Sequence, residues 1–152
     1  EGNYDEMKKY YLMAIEQEHS EAMRSLGYYY ETDYDDRNYD EMKKYYLMAI
    51  EYGNIDAMCN LANYYQNKKN NYDEMKKYYL MAIDKNCEYS MSFLADYYRC
   101  VEKNYDEMKK YYLMSIEQKH KPSMYKLAKY YDDIEKNRDE ANKYYMMEIE
   151  TI

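Results

Sequence analysis

The segment Asn38–Ile50 reads NYDEMKKYYLMAI, and the same thirteen letters stand at Asn3–Ile15 and at Asn71–Ile83. Two relatives follow: Asn104–Ile116 differs at one position, and the last copy, 137–149, reads NRDEANKYYMMEI. The copies start at residues 3, 38, 71, 104 and 137, so successive starts lie 35, 33, 33 and 33 residues apart. Such a period is typical of solenoids built from helical hairpins, whose repeats are about 33–47 residues long.

Each copy has the pattern of a helix that carries its own start signal. In the first copy Met7 is followed by apolar residues at i+3, i+4, i+7 and i+8, which places them on one helix face. Asn3 is a candidate N-cap, and Glu6 completes a capping-box pattern. Asp5 and Lys9 have the spacing of an i,i+4 ion pair. The pattern predicts a helix, here called helix B, at residues 3–17, 38–51, 71–84, 104–117 and 137–150.

A second helical pattern lies between the copies, with the letters A-M-x-x-L-[AG]-x-Y-Y. Its apolar residues again step by three and four, so it predicts a second helix, here called helix A. The segments are Ala22–Tyr30, Ala57–Tyr65, Ser90–Tyr98 and Ser123–Tyr131. The predicted order is B-A-B-A-B-A-B-A-B, which makes the chain an all-α solenoid with a single helical-repeat domain over residues 1–152.

Two sets of connections are predicted between these helices. Turns near Gly53, Asn86 and Lys119 join a helix B to the next helix A, since Gly and Asn readily accept the left-handed conformation after a helix. Polar linkers join each helix A to the next helix B, at residues 31–37, 67–70, 101–103 and 133–136.

Composition narrows the classes of function. Thirty acidic against 22 basic residues give a net charge of −8, which repels phosphate backbones and anionic lipid. The chain has three cysteines, Cys59, Cys87 and Cys100, and no two of them have CxxC spacing. Neither a disulfide frame nor a zinc site is therefore expected. The two histidines, His19 and His120, fall at predicted B-to-A turns. With no convergent nucleophile, base or metal set, we expect no enzymatic activity, cofactor or metal.

The block Ala57–Tyr65 (AMCNLANYY) followed by Tyr72–Ala82 (YDEMKKYYLMA) resembles the Sel1-like repeat, a sister of the tetratricopeptide repeat. The Gly-rich A-to-B loop usual in that family is missing, and Met75 stands where a small residue is common. The resemblance implies a right-handed superhelix of antiparallel helix hairpins that serves as a protein–protein interaction scaffold. The Tyr/Asn/Lys/Asp/Met bias resembles that of proteins from AT-rich genomes, and the near-perfect tandem copies resemble repeat proteins of amoeba-infecting giant viruses.

The recurring KKYY segment has two interpretations. A ladder of lysine doublets beside aromatic rings is a feature of helical repeats that read RNA. Asp and Glu precede every doublet, however, so a solvated, locally neutral helix face is the simpler interpretation. The tyrosine pairs are predicted to pack in the core and between repeats, with hydroxyls that need partners.

One contrast between the copies indicates function: helix B is nearly constant, whereas certain helix A positions change in every repeat. In the fold that the sequence resembles, helix A lines a concave groove. The varied positions lie two residues before, two after and five after the leucine of helix A. A repeat scaffold with a constant frame and a varied groove can bind a specific ligand. The candidate partner-binding residues are Arg24, Tyr28, Glu31, Cys59, Asn63, Gln66, Ser92, Asp96, Arg99, Tyr125, Lys129 and Asp132. The alternative is that these positions bind nothing and vary because they are exposed and unconstrained.

The two ends of the repeat array differ in sequence. The small residue of helix B becomes Glu148 in the last copy, which predicts that the helix Glu140–Glu150 caps a solenoid. The first helix B carries a full packing face at Met7, Tyr11 and Ile15, which predicts an upstream extension or a covering partner.

The sequence thus predicts an interaction scaffold that binds a protein or peptide through the helix A groove. The alternative is a structural protein that self-associates end to end through its first helix. RNA binding is less favoured. We expect a cytoplasmic location, which for a viral protein means the host cytoplasm or the virion.

Overall fold

A computed structural model of the protein describes residues 4–33 and 37–151. In these ranges the chain forms nine α-helices and no strand. The helices are α1 (Tyr4–Ile15), α2 (Ser20–Thr32), α3 (Tyr39–Glu51), α4 (Ile55–Tyr64), α5 (Tyr72–Ile83), α6 (Glu88–Tyr97), α7 (Tyr105–Glu117), α8 (Lys121–Asp133) and α9 (Arg138–Glu150). Odd-numbered helices are the predicted helices B and even-numbered ones the predicted helices A. The all-helical prediction is confirmed.

The chain divides into two compact units, residues 1–82 and 83–152. In the first unit α2 packs on α1 and α3, and α3 packs on α4. In the second unit α6 packs on α7, and α8 packs on α7 and α9. Helices that are consecutive in sequence therefore pair as hairpins within each unit.

The N-cap of helix B is an asparagine, as its sequence pattern predicts. Asn38 accepts hydrogen bonds from the backbone amides of Asp40 and Glu41 at 3.1 and 3.2 Å. The side chains of Asn71, Asn104 and Asn137 cap their helices in the same way. Asn3, the predicted cap of α1, lies outside the described residues.

The second half of the predicted capping box is absent from the four caps that the structure describes. The backbone amide of Asn38 donates to the carbonyl of Tyr30, in helix A, at 2.9 Å instead of to the Glu41 side chain. Glu41 pairs with Lys44 on its own helix at 3.0 Å. The tertiary hairpin bond thus replaces the local bond that the motif suggests, and it closes the A-to-B connection.

The B-to-A turns have the predicted conformation. Gly53, Asn86 and Lys119 all have positive φ, at 76°, 61° and 64°, and Glu18 takes the same role after α1 with φ 60°. These angles lie in the left-handed region, which closes a helix C-terminus with a short turn.

The A-to-B linkers are shorter than predicted in two repeats. After α4 and α6 the chain continues as π-helical turns, Tyr65–Lys69 and Tyr98–Glu102, and each ends at a left-handed residue, Asn70 or Lys103. The sequence predicts polar linkers at 67–70 and 101–103. A π turn changes the direction of the backbone and keeps it hydrogen-bonded. Its residues can be as polar as those of a loop, so polarity alone does not distinguish the two.

The core of a repeat is built around the KKYY tyrosines. Tyr46 and the equivalent Tyr79 and Tyr112 are fully buried. Gly27 of α2 lies so close to the Tyr46 ring that an added methyl would stand 2.7 Å from ring carbon Cδ1. Gly27 leaves no room for a side chain here, whereas the other repeats accommodate Ala62, Ala95 and Ala128 at the same position, so the [AG] position holds only small residues.

In α3, α5, α7 and α9 the first tyrosine of the pair stacks on a tyrosine of helix A. The ring planes of Tyr30 and Tyr45 lie 5° from parallel with centroids 5.8 Å apart. The same stack forms between Tyr65 and Tyr78, Tyr98 and Tyr111, and Tyr131 and Tyr144. Offset stacks of this kind add to the burial energy, so the predicted packing role of the tyrosine pairs is confirmed.

The first helix is partly covered. Met7, Tyr11 and Ile15 are half-buried against a cluster of Leu26, Tyr29 and Tyr45. The face that the sequence indicated as open is thus packed in part on the following hairpin, and the exposed apolar residues of α1 are Tyr10, Leu12 and Met13.

Candidate functional site

The twelve candidate positions on helix A differ widely in exposure. Tyr28 and Tyr125 are exposed, at 52% and 45%, and Arg99 and Lys129 are exposed as well. Ser92 is buried, which removes it from any surface that a partner could touch directly. The other seven are half-buried: Arg24, Glu31, Cys59, Asn63, Gln66, Asp96 and Asp132.

Several half-buried positions serve the frame rather than the surface. The hydroxyl of Tyr46 donates to the Glu31 carboxylate at 2.7 Å. In the next repeat Tyr79 donates to the Asn63 side-chain oxygen at 2.6 Å and lies 3.4 Å from that of Gln66. The buried tyrosines of helix B therefore reach through the hairpin, and helix A supplies an acceptor for each hydroxyl.

Asp96 is the corresponding acceptor in the second unit, and it organises a small charged network. Its Oδ1 accepts from the Tyr112 hydroxyl at 2.5 Å, and its Oδ2 accepts from Lys126 Nζ at 2.5 Å. Lys126 also lies 3.2 Å from the buried Ser92 hydroxyl, and Arg99 is 3.6 Å from Asp96. Lys126 and Arg99 thus both offset the charge of the half-buried Asp96 carboxylate, and the Arg99 side chain remains exposed.

The tyrosine hydroxyls in these contacts stay protonated over the ordinary pH range. Burial raises the pKa of Tyr46 well above its usual value near 10, and the adjacent Glu31 carboxylate raises it further. Burial and Asp96 raise the pKa of Tyr112 in the same way. The hydroxyls act as permanent donors, and Glu31, Asn63 and Asp96 supply the acceptors that Tyr46, Tyr79 and Tyr112 need.

One helix A position that the sequence interpretation missed lies immediately before the leucine. It carries Ser25, Asn60, Phe93 and Lys126 in the four repeats. Asn60 donates to the Tyr46 hydroxyl at 3.3 Å, and Lys126 reaches Asp96, so both contact the preceding repeat. The signal was available, because this position varies in every copy as strongly as the positions that were chosen.

The second unit holds a pocket of about 280 Å³ on its helix A side. It lies between the π turn after α6 and the C-terminal half of α8. Two candidate positions, Arg99 and Lys129, line it together with residues that the sequence did not single out. Those residues are Cys100, Lys103, Tyr105, Lys126, Tyr130, Asp133 and Ile134.

The second lysine of the doublets in α3, α5 and α7 pairs on its own helix, whereas Lys109 pairs with Glu135 at 3.0 Å. Lys44 pairs with Glu41 at 3.0 Å and lies 4.9 Å from the Tyr45 ring centre. Lys77, Lys110 and Lys143 repeat both contacts. The pairs are i,i+3 pairs with low net charge, so the doublets form a solvated helix face rather than a basic ladder.

The histidines and cysteines occupy turns and helix positions. His19 and His120 directly precede α2 and α8, and the His120 ring lies 2.8 Å from the Ser123 hydroxyl and packs edge-on against Tyr89. Cys59, Cys87 and Cys100 form no disulfide. Across residues 4–33 and 37–151, no group of three His, Cys, Asp or Glu side chains could hold a metal ion.

Comparison with solved structures identifies the fold. The chain superposes on a Sel1 repeat protein from Oxalobacter formigenes with a TM-score of 0.74 and 20% identity over 95% of its length. It superposes on a protective antigen of uropathogenic Escherichia coli that displays the Sel1-like repeat fold, with a TM-score of 0.72 and 22% identity over 94% of its length. An immunity protein of Pseudomonas aeruginosa gives a TM-score of 0.60 with 20% identity. The fold is that of Sel1-like repeat proteins, as the sequence resemblance implied.

The similarity is one of fold alone. The chain spans 64% of the Oxalobacter protein and 33% of the Escherichia antigen. No protein-family model matches the sequence, and no curated protein matches it significantly. The solved structures are bacterial, so they lend no support to the viral resemblance of the sequence. None of the helices in the part of the chain that the structure describes is both long and apolar enough to cross a bilayer.

Proposed function

We propose that the protein is a non-catalytic interaction scaffold, in which exposed side chains of the A helices bind a segment of a partner protein. Solenoids of helical hairpins are typically binding scaffolds, and their ligands contact side chains on a repeated frame. In this chain the frame consists of the B helices and of the helix A residues that accept from buried tyrosines.

One observation carries the proposal. The A helices bury the residues around their leucines, yet they and the π turn after α6 project large exposed side chains at varied positions, Tyr28, Tyr125 and Arg99. Tyrosine and arginine are the residues that most often dominate binding energy at protein interfaces. The charged and aromatic groups of helix B are by contrast engaged with one another, as the Lys44, Glu41 and Tyr45 contacts show.

Site-specific photocrosslinking tests the proposal. A photoreactive phenylalanine analogue placed at Tyr28 or at Tyr125 is expected to capture the same protein from a cell extract. Leu47 and Leu113, on helix B, are the matched controls, because they are apolar and exposed to a similar extent, at 43% and 40%. Capture from the helix A sites should exceed capture from the helix B sites by about tenfold or more, since crosslinking requires contact in the complex.

Equal capture from both faces, or capture from Leu47 and Leu113 alone, would contradict the proposal. Self-association through α1 would instead yield a crosslink between two copies of this chain.

A further inference from the structure

The pocket in the second unit concentrates positive charge in an acidic protein. Arg99, Lys103, Lys126 and Lys129 line it, with Asp133 as its lining carboxylate, whereas the whole chain carries a net charge of −8. Part of this charge is used internally, because Lys126 is held by Asp96 at 2.5 Å and Lys129 lies 3.9 Å from Asp133. Arg99 is exposed and only 3.6 Å from the shared Asp96. The pocket therefore keeps an excess of cationic groups.

Lys103 is the least engaged of these cations. Among the residues that the structure describes, no carboxylate lies within ion-pair distance of its ammonium. Its backbone is left-handed, with φ 56°, a conformation that costs free energy for a lysine and little for asparagine. Asn70 occupies the same place one repeat earlier, with φ 48°. Lys119 and Lys136 are left-handed as well, so the case for Lys103 rests on its place in the wall of the pocket and on its unpaired charge.

The cations of this pocket are absent from the preceding repeat. Thirty-three residues earlier, the positions equivalent to Arg99, Lys103, Lys126 and Lys129 hold Gln66, Asn70, Phe93 and Asp96. The tyrosines of the wall are constant in the same comparison, since Tyr72 and Tyr97 correspond to Tyr105 and Tyr130. The repeat frame thus supplies the aromatic wall, and substitution of the varied positions supplied the cations.

The rest of the lining is apolar. The rings of Tyr105 and Tyr130 lie 5.2 Å apart, and Ile134 is exposed at the rim. At about 280 Å³ the pocket is at the lower limit of small-molecule sites, which are about 300–1,000 Å³, so it has room for one or two side chains rather than for a cofactor. A cationic floor beside an apolar rim suits an acidic side chain that neighbours an apolar one.

We propose that this pocket binds an acidic peptide segment of the partner, with an aspartate or glutamate carboxylate between Arg99, Lys103 and Lys129 and an adjacent apolar side chain against Tyr105, Tyr130 and Ile134. The inference rests on the proposed function, because Arg99 and Lys129 are helix A positions. It adds the chemical class of the ligand. A polyanion such as RNA is disfavoured, because the net charge of the chain repels it.

The test is the binding of short fluorescent peptides, each with Asp or Glu next to Leu, Phe or Tyr, measured by fluorescence anisotropy. Each acidic peptide has an isosteric control in which Asn or Gln replaces the acid. We expect acidic peptides to bind at least about tenfold more tightly than these controls, with an affinity that falls as salt rises. A single-stranded RNA oligonucleotide and phosphoserine versions of the peptides form separate arms.

The chain itself offers the best variant. The double substitution Arg99→Gln with Lys103→Asn introduces the residues found one repeat earlier, so helicity should be retained. It is expected to lower acidic-peptide affinity by about tenfold or more and to leave the control peptides unchanged. Lys68→Asn with Lys69→Gln removes the same charge from an exposed π turn of the first unit and should have no effect. Bound acidic peptide should also slow alkylation of Cys100, which lines the pocket, relative to that of Cys59.

The inference is overturned if no acidic peptide binds, if the amide controls bind equally, or if only RNA or phosphoserine peptides bind. It is also overturned if the Arg99→Gln, Lys103→Asn variant binds acidic peptides as well as the unmodified chain does. These outcomes differ from failure of the proposed function, which would appear as loss of selective crosslinking from Tyr28 and Tyr125.

Discussion

Ala49→Glu is expected to destabilise the first unit by more than about 4 kcal/mol, enough to unfold it at room temperature. Ala49 is 0% exposed in α3, at the helix B position that is small in the first four copies. A glutamate there would bury a charge with no partner and would also exceed the available volume, two mechanisms that give the largest effects of single substitutions. Urea unfolding followed by circular dichroism at 222 nm measures the change.

The chain contains its own control for this prediction. Glu148 occupies the same position of the repeat in α9, where it is half-exposed. Glu148→Ala should therefore change the stability by no more than about 0.5 kcal/mol. If Ala49→Glu left the unfolding midpoint unchanged, helix B could not be packed as described.

Tyr112→Ala is expected to cost about 3–5 kcal/mol in the second unit, because the ring is fully buried and its removal leaves a cavity. Tyr112→Phe keeps the ring and removes only the hydroxyl that donates to Asp96 at 2.5 Å. Its expected cost is about 1–2 kcal/mol, since the carboxylate keeps Lys126 as a partner. The same urea unfolding measurement distinguishes the two costs.

Tyr79→Phe is the matched variant in the first unit, where the acceptor is the neutral Asn63 at 2.6 Å. Hydrogen bonds to charged groups contribute more than neutral ones, so its cost should be the smaller of the two, near 1 kcal/mol. A Tyr112→Phe protein as unstable as Tyr112→Ala would mean that the hydroxyl rather than the ring dominates, contrary to the burial of the side chain.

The features that the sequence predicted correctly are local or periodic. The asparagine caps, the turns at Gly53, Asn86 and Lys119, and the buried face of helix B each follow from a few neighbouring letters repeated at fixed spacing. Five copies of the same signal made the helix boundaries accurate to a few residues.

The features that it missed depend on tertiary contacts. The backbone amide of Asn38 donates to the Tyr30 carbonyl instead of to the Glu41 side chain, because the hairpin brings that carbonyl within 2.9 Å. The π turns at Tyr65–Lys69 and Tyr98–Glu102 carry no distinctive local pattern. The capping misprediction thus arose where a bond between helices replaced a bond within one.

The candidate site was predicted in outline only. Position along helix A identified the exposed Tyr28, Tyr125 and Lys129, but it gave the same weight to the buried Ser92 and to Asp96, which accepts from Tyr112. Exposure depends on how far a helix B tyrosine reaches across the hairpin. That distance could not be obtained from the spacing of letters in one helix.

We propose that the A helices recognise the partner and that the B helices form the frame. The most direct measurement is the affinity, by titration calorimetry, of the protein captured at Tyr28 and Tyr125 for two triple variants. Tyr28, Tyr125 and Lys129 are changed to serine in one variant, and the exposed helix B residues Leu47, Leu80 and Leu113 in the other. We predict that the first variant loses about tenfold or more in affinity and that the second stays within about twofold, with helicity retained in both. The opposite ranking would mean that the partner binds the B helices.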